Sequence, residues 1–193
     1  MKHATVSAIF DRIFYKGFRG GIPDLKENNI LIIKRPEYDP WNPGKYSFPT
    51  ETYSSKKDPS LEQDIKKVMK LVAERGFEEE FDPDRKCGSP NLEYVGTYYD
   101  PKTYFLVHVL MGNMWSNSPW FSRPNLENML HTTEEVPKYY WKTLPQIIEM
   151  MKQDKIAGEP AVDMIIGEIE RRMSLDWRFS DKSSVLSRLR FDV

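Results

Sequence analysis

The side chains best suited to chemistry are carboxylates gathered around one predicted helix. Glu62 lies near the start of that helix, Glu74 lies near its end, and Glu78, Glu79 and Glu80 follow it directly. Carboxylate oxygens are the ligands that hard divalent cations such as Mg²⁺ prefer. One carboxylate alone makes a weak Mg²⁺ site, and acidic runs are usually solvated. Glu74 is therefore interpreted either as a metal ligand or as a surface residue.

A helix is predicted over residues 60–76, and it would carry both Glu62 and Glu74. Ser60 can cap its N-terminus, since Gln63 occupies the position where a capping box takes Glu or Gln. Gly76 is predicted to end the helix, and the acidic run that follows is predicted to be a solvated connection. Its apolar residues share one face: Leu61, Ile65, Val68, Met69 and Val72.

Strands and further helices surround this helix in the predicted order. A polar loop is expected over residues 50–58, a helix over 144–151 with Pro145 in its first turn, and another helix beginning at Glu159 and Pro160. Runs of β-branched and aromatic residues predict six strands: residues 5–14, 30–35, 45–48, 92–99, 103–111 and 139–141.

The composition suits one soluble domain with extensions, because 193 residues can bury a substantial core. A net charge of −1 argues against a domain that holds nucleic acid mainly through phosphates, since such domains are usually basic. Protein contacts are favoured instead. No apolar run reaches the ~20 residues of a membrane-spanning helix. Cys87 is the only cysteine, which excludes an intrachain disulfide and a cysteine-based zinc site.

Aromatic residues outside the predicted elements are candidates for an interface. Trp115, Trp120 and Phe121 fall in a proline-containing loop, and Trp177 and Phe179 fall in a C-terminal tail rich in arginine. Aromatic-rich exposed loops often mark protein interfaces, although the loop aromatics could instead cover the core. The tail is expected either to dock on a partner or to pack across the domain.

The histidines give no clear functional signal. His108 lies inside the most strongly predicted strand, where a half-buried ring with satisfied hydrogen bonds is expected rather than proton transfer. His3 and His131 fall in predicted loops, too far apart in sequence to suggest a metal pair.

The order of elements over residues 5–151 resembles the Nudix family. Residues 46–49, Tyr-Ser-Phe-Pro, resemble the strand and Phe-Pro that precede its two glycines, and residues 69–77 resemble its segment Arg-Glu-apolar-x-Glu-Glu-x-Gly-apolar. The resemblance implies an α/β (α+β) fold, with a mixed sheet sandwiched between helices and a C-terminal helical extension. In that family several carboxylates on one helix face hold metal ions against a diphosphate and help to activate water.

Most of the family's metal ligands are replaced in this chain. Met69 stands for the arginine, Lys70 for the first glutamate and Ala73 for the next, so that only Glu74 is kept. Thr50 and Glu51 correspond to the two glycines; Leu61 is in register with the upstream glutamate, with Glu62 beside it. A lysine at position 70 also brings positive charge to the place where a metal would bind.

Three cations remain candidates for ligand contacts under this resemblance. Lys34 and Arg35 end one predicted strand, and Lys45 begins the next. Such positions can line the ligand cleft of the family. They could hold the phosphate of a nucleotide or an RNA without any catalysis.

A narrower resemblance is to a non-catalytic Nudix-like subunit of the mitochondrial ribosome's large subunit. It is carried by residues 46–49 without the paired glycines, a helix without metal glutamates, the strand 104–111, and Trp141 before a leucine-containing helix. The resemblance implies protein subunits and ribosomal RNA as partners, no cofactor and no membrane. It also implies a mitochondrial location, with the cytoplasm as the alternative. Basic residues near the N-terminus faintly resemble a transit peptide, but residues 4–14 are also predicted to form a strand.

The main hypothesis is therefore a non-catalytic subunit of a large assembly. Residues 1–151 would form the Nudix-like domain, and residues 152–193 would form a helix and tail that dock on a partner. One alternative is a Mg²⁺-dependent hydrolase of nucleoside diphosphate derivatives that uses Glu74 and Glu62. Another is a module that binds a nucleotide or RNA without cleaving it. Fold alone does not choose among these functions.

Overall fold

The computed structural model describes residues 1–11, 28–82, 88–114, 130 and 138–174. Within these residues the chain forms seven strands and three helices. The strands are β1 Lys2–Phe10, β2 Asn29–Lys34, β3 Tyr46–Ser47, β4 Thr50–Thr52, β5 Asn91–Asp100, β6 Phe105–Asn113 and β7 Tyr139–Thr143; the helices are α1 Ile65–Phe81, α2 Leu144–Lys152 and α3 Glu159–Ser174.

The described strands join in one mixed sheet with β1 near its centre. The order β3-β2-β1-β6-β5 forms the main path, while β4 pairs with β1 and β7 pairs with β2. β1 runs parallel to β6 from Lys2↔Phe105 to Phe10↔Asn113. Its other edge is shared between β4 at its start and β2 at its end, both antiparallel. β5 and β6 form the predicted antiparallel hairpin.

Helices cover both faces of the sheet because apolar residues of the central strands project to both faces. Val6, Ala8 and Phe10 of β1 pack with α2 and α3, whereas Ile9 packs with α1. The predicted apolar face of α3 is confirmed, and its buried residues join the larger core cluster. Full burial of a valine, isoleucine or methionine side chain contributes about 1.5–3 kcal/mol to the stability of the fold. The expected α+β fold, a mixed sheet between helices, is confirmed.

Helix α1 begins later than the sequence predicted. Its N-cap is Asp64, whose side chain accepts hydrogen bonds from the amides of Lys66 and Lys67. The predicted cap, Ser60, instead lies in a preceding turn and accepts a hydrogen bond from the amide of Glu62. The capping-box pattern at Ser60 was misleading because Asp64, directly before Ile65, is also a strong N-cap residue and takes that role.

Helix α1 also continues past Gly76, to Phe81, so the predicted helix end was wrong. Gly76 serves a packing role: a Cβ at this position would lie 2.6 Å from the Cβ of Glu51. Beyond the glycine, Phe77 and Phe81 are both buried, and their rings stack against each other with centroids 5.5 Å apart. Their burial favours continuation of the helix through residues predicted to be a solvated connection.

The start of the predicted polar loop 50–58 is instead strand β4. Thr50, Glu51 and Thr52 pair with Val6, Thr5 and Ala4 of β1. This pairing is non-local, and the polar sequence gave no signal for it. As a result, the strand that follows Phe48-Pro49 pairs with β1 in the sheet and packs against α1 at Gly76.

Helix α3 packs into the same core as the sheet. Val162, Ile165 and Ile169 of α3 share one apolar cluster with Val107 and Val109 of β6. A separate docking element from residue 152 onward stays a prediction, but its first part forms a layer of the described fold. No helix among the described residues is both long and apolar enough to span a membrane.

Candidate functional site

One face of α1 carries a row of charged residues, a lysine followed by two glutamates, where the family resemblance places metal ligands. Lys70 Nζ lies 3.7 Å from Glu74 Oε1, one helical turn away. The Glu74 side chain is only 20% exposed. Burial raises the pKa of Glu74 above its usual value; the charge of Lys70 opposes this effect, and Glu78 adds to it. The retained glutamate, Glu74, thus forms an ion pair with a lysine of its own helix.

The acidic residues after Gly76 lie on α1 and have different neighbours. Glu78 is one turn beyond Glu74 and accepts a hydrogen bond from Ser89 Oγ at 2.5 Å. Glu79 contacts Lys57, with Nζ–Oε1 at 3.1 Å, and Arg75, with Nη1–Oε2 at 3.3 Å. Of this predicted solvated run, Glu78 is therefore the residue that extends the row of Lys70 and Glu74.

The structure does not join Glu62 to this row. Glu62 is exposed in the turn before α1, and no described hydrogen bond or ion pair links it to Glu74. Ala73, where the family has another glutamate, is 5% exposed and packs with Phe77 in the core. No group of three or more His, Cys, Asp or Glu side chains suited to a metal occurs among the described residues.

Arg75 fastens the segment before α1 to the helix. Its guanidinium binds Asp58 through two hydrogen bonds, Nε–Oδ1 at 2.9 Å and Nη2–Oδ2 at 3.1 Å. Nη2 also donates to the carbonyl of Thr52 at 3.0 Å and to Glu51 Oε1 at 3.3 Å. Asp58 is only 3% exposed in its side chain, so this contact stabilises a buried charge. Asp58 and Glu51 therefore bind Arg75 and hold the preceding loop in place. They do not add metal ligands to the row Lys70, Glu74 and Glu78.

A cleft of about 310 Å³ opens on the sheet face opposite α1. Ala4 and Val6 of β1 and Val107 of β6 form part of its wall, together with Phe48 and Phe105. Val6 and Val107 also belong to the core cluster that contains α2 and α3, which places the cleft on their side of the sheet. Its other lining residues are mostly polar: Thr5, Arg35, Trp41, Asn42, Ser47, Thr50, Thr52, Tyr98, Asp100, Thr103, Ala157 and Gly158.

Arg35 and Trp41 provide a charged group and a large ring at the cleft. Arg35 Nε donates to Asp39 Oδ2 at 2.8 Å, and its Nη1 lies 3.4 Å from Ser47 Oγ. Burial disfavours ionisation of Asp39, but hydrogen bonds from the amides of Asn42 and Trp41 and from Arg35 hold its pKa below the usual value. Asp39 therefore stays charged and fixes the guanidinium. Trp41 remains 51% exposed.

A second chamber of about 280 Å³ adjoins the first. Asn42, Tyr98, Asp100, Ala157 and Gly158 line both chambers, so the two are adjacent. Burial, with the charge of Asp100, raises the pKa of Tyr98 to about 12, and the shared wall therefore presents a neutral phenol. The far end is lined by Lys45, Asp154, Lys102 and the first residues of α3.

The three predicted phosphate contacts separate in the structure. Arg35 lines the first chamber and Lys45 lines the second, where it pairs with Asp154. Lys34 lines neither chamber and pairs with Glu37 at 3.3 Å on the surface. Sequence reasoning did not select Trp41 or Tyr98, since only the fold brings the β2–β3 loop to β5. The predicted interface aromatics lie outside the described residues: Trp115, Trp120, Phe121, Trp177 and Phe179.

Comparison with known proteins gives the class of fold. No family model and no curated protein matches the chain. A Nudix hydrolase from Alicyclobacillus acidocaldarius matches with a TM-score of 0.56 at 12% identity, over 86% of this chain and 90% of that chain. A MutT/nudix family protein from Listeria innocua matches with a TM-score of 0.54 at 15% identity, over 90% and 97%.

A third similar structure contains a ligand. The Nudix domain of Shewanella oneidensis NrtR, in complex with ADP ribose, matches with a TM-score of 0.50 at 12% identity, over 86% of each chain. At such identities the likeness concerns the fold. The chain has a Nudix-like fold, as its sequence resemblance implied.

Proposed function

We propose that this protein binds a nucleotide-like ligand in the cleft of its Nudix-like fold without the metal-dependent hydrolysis of that family. The observation that carries the proposal is the Lys70–Glu74 ion pair, which occupies the helix face where the resemblance places metal carboxylates. The cleft on the opposite side of the sheet has no residue of α1 among its described lining residues.

The residues of α1 do not fit a Mg²⁺ site of the family's kind. Such a site needs several oxygen ligands, and a cation in place of one of them repels a divalent ion. Lys70 provides that cation, Ala73 points into the core, and Glu62 is exposed outside the row. Two glutamates, Glu74 and Glu78, remain on this face, and each already has a partner.

The cleft suits a ligand that combines a planar ring with a negative charge. Trp41 and Phe105 offer ring faces and edges, which stack with nucleobases. Arg35 offers a guanidinium held in position by Asp39. Two adjacent chambers of about 310 and 280 Å³ suit a ligand of two linked parts. ADP-ribose has these properties, and the Nudix domain of NrtR was solved with it.

Calorimetric titration with ADP-ribose tests this proposal. We expect saturable binding of equal strength with Mg²⁺ and with EDTA, and no product by chromatography after long incubation. Arg35→Gln and Trp41→Ala should each weaken binding by roughly tenfold or more. Lys34→Gln is the matched control, because Lys34 lies next in sequence yet lines neither chamber. Absence of binding, or equal losses in Arg35→Gln and Lys34→Gln, would refute the assignment.

A turnover assay distinguishes this binding function from the hydrolase alternative. Mg²⁺- or Mn²⁺-dependent turnover of nucleoside diphosphate derivatives that disappears in Glu74→Gln would mean that a reduced carboxylate set suffices. A folded, ADP-ribose-binding protein without turnover would support the binding function.

A second candidate is a non-catalytic subunit of a large assembly, with the mitochondrial large ribosomal subunit as its most specific form. The supporting observation is the set of large exposed aromatics on the described surface, Tyr38, Trp41, Tyr99 and Tyr104. Rings of this kind are enriched at protein interfaces. Co-sedimentation of the tagged chain with ribosomal particles from an organelle extract, in a salt-resistant manner, is the expected result. Migration as a free monomer in that extract would exclude this role.

A further inference from the structure

Two histidines on neighbouring parallel strands face each other, and neither of them lines the cleft. Nδ1 of His3 in β1 lies 3.0 Å from Nε2 of His108 in β6. The rings stack with an interplanar angle of 18° and centroids 5.3 Å apart. His108 is 1% exposed, whereas His3 is half-buried. A hydrogen bond needs one donor and one acceptor, so only one of the two facing nitrogens can carry a proton.

The other nitrogen of His108 is bound from β5. Its Nδ1 lies 3.0 Å from the hydroxyl of Tyr94 and 2.9 Å from that of Thr97. Hydroxyls can donate or accept, so both neutral tautomers of His108 find partners. A first proton on His3 can therefore be accommodated by a change of tautomer. A second proton cannot, because two N–H groups would then face each other across 3.0 Å.

The groups around the pair carry positive charge or none. Tyr53, before α1, meets the His3 ring edge-on with centroids 6.4 Å apart. Lys66 of α1 lies 5.5 Å from the ring centroid of Tyr94. Burial lowers the pKa of His3, and the amino group of Met1 lowers it further. Within the described part of the chain, no carboxylate forms a hydrogen bond or ion pair with either ring. These neighbours therefore provide no negative charge to offset the charges of two protonated histidine rings.

The histidine pair lies behind one wall of the cleft. β1 pairs with β4 through Ala4↔Thr52 and Val6↔Thr50, and with β6 through Ala4↔Val107. All five of these residues line the cleft. The two rings project from the same strands toward the opposite face. Separation of the rings would therefore displace the strands that form this wall.

We propose that His3 and His108 form a pH-sensitive latch, which holds the starts of β1 and β4 against β6 at neutral pH and releases them when both rings take up protons. Burial, followed by the charge of His3, lowers the pKa of His108 from 6.5 to about 4. A group with a depressed native pKa binds protons more readily once the contact opens. The stabilisation is complete above about pH 6.5 and is lost as the pH falls toward about 4.

Amide hydrogen exchange between pH 7.5 and 4.5, corrected for the intrinsic pH dependence of exchange, tests the latch. In the wild-type protein we expect protection of amides in β1 and β4 to fall by roughly ten- to a hundredfold more than that of β2 and β7. His108→Gln should abolish this difference. His131→Gln is the matched control, since it removes one of the chain's three histidines but leaves the pair intact.

Direct titration of the rings by NMR completes the test. We expect the resonances of His108 to stay those of a neutral ring well below pH 6. A titration near pH 6.5, or pH dependence at β1 that persists in His108→Gln, would overturn the proposal. If His108→Gln does not fold, His3→Gln removes the same contact at a half-buried position. The readout is backbone exchange, so its outcome is independent of whether the cleft binds ADP-ribose.

Discussion

The two faces of the sheet differ in how much of the Nudix plan they keep. On the α1 face, the helix and its crossing with β4 are present, but the metal carboxylates give way to the row Lys70, Glu74 and Glu78. On the other face, an open cleft is present with aromatic and cationic lining. Because no residue of α1 is among the described lining residues of the cleft, loss of the metal ligands on that helix need not disturb ligand binding.

The charges on the α1 face have also taken on a structural role. Arg75 and Asp58 form a nearly buried ion pair that fastens the chain before α1, close to β4. The glutamate at a family glycine position, Glu51, joins this contact. Burial raises the pKa of Glu51, and Arg75 opposes that shift. The acids of this face thus stabilise the fold that the cleft also needs.

The largest expected effect is that of Arg75→Met. It leaves Asp58, 3% exposed, as a charge without its main partner, and removal of one member of a buried pair costs about 3–5 kcal/mol. Urea unfolding at neutral pH measures this loss. Lys57→Met is the control, since its contact with Glu79 is exposed and should contribute less than about 1 kcal/mol. Similar losses in both variants would mean that Arg75 is not a clamp.

Gly76→Ala should have an intermediate effect. The added methyl would lie 2.6 Å from the Cβ of Glu51, and overpacking of this kind costs about 1–3 kcal/mol. Alanine favours a helix over glycine by about 1 kcal/mol, so relief of the contact should reverse the sign. We therefore expect Gly76→Ala to stabilise the protein in a Glu51→Gly background. Equal effects in both backgrounds, measured by thermal unfolding, would contradict the close approach of β4.

Lys70→Glu should restore part of the Nudix metal site on the α1 face. It would place a third carboxylate in the row with Glu74 and Glu78, where a divalent cation could then bind. Mn²⁺ at ten times its dissociation constant would raise the free energy of unfolding by about 1.4 kcal/mol. Lys67→Glu is the control of equal charge on an exposed part of α1. Equal Mn²⁺ stabilisation of the wild type and Lys70→Glu would argue against the blocking role of Lys70.

Lys70→Met should have the smallest effect. The ion pair with Glu74 is partly exposed and should contribute less than about 1 kcal/mol. Because Lys70 lowers the pKa of Glu74, its removal should raise that pKa further. Carboxyl NMR of Glu74 measures the shift, with Lys67→Met as reference. An unchanged or lower pKa would indicate that the ion pair does not form in solution.

Local signals in the sequence predicted much of this fold. The apolar run of β2, the β5–β6 hairpin, and α2 with Pro145 in its first turn depend on residues close in sequence. Such elements can be predicted without knowledge of the tertiary structure.

The misplaced features depend on contacts between distant residues. β4 exists because it pairs with β1, and α1 passes Gly76 because Phe77 and Phe81 are buried. His3 was predicted to lie in a loop, but it lies in β1, where the parallel register with β6 brings it to His108. For the candidate site, the substitution at position 70 was visible in the sequence. The orientation of Ala73 and the approach of Trp41 to the cleft required the fold.

The parallel pairing of β1 with β6 also affects how the chain folds. Lys2 finds its partner Phe105 more than a hundred positions later, and Phe10 pairs with Asn113. Contacts of such long range slow folding, because a large loop must close before they form. During synthesis the first strand emerges long before β6, and one of its edges has no native partner until then. Nascent chains shorter than about 113 residues should therefore expose that edge and bind chaperones, whereas longer chains bury it.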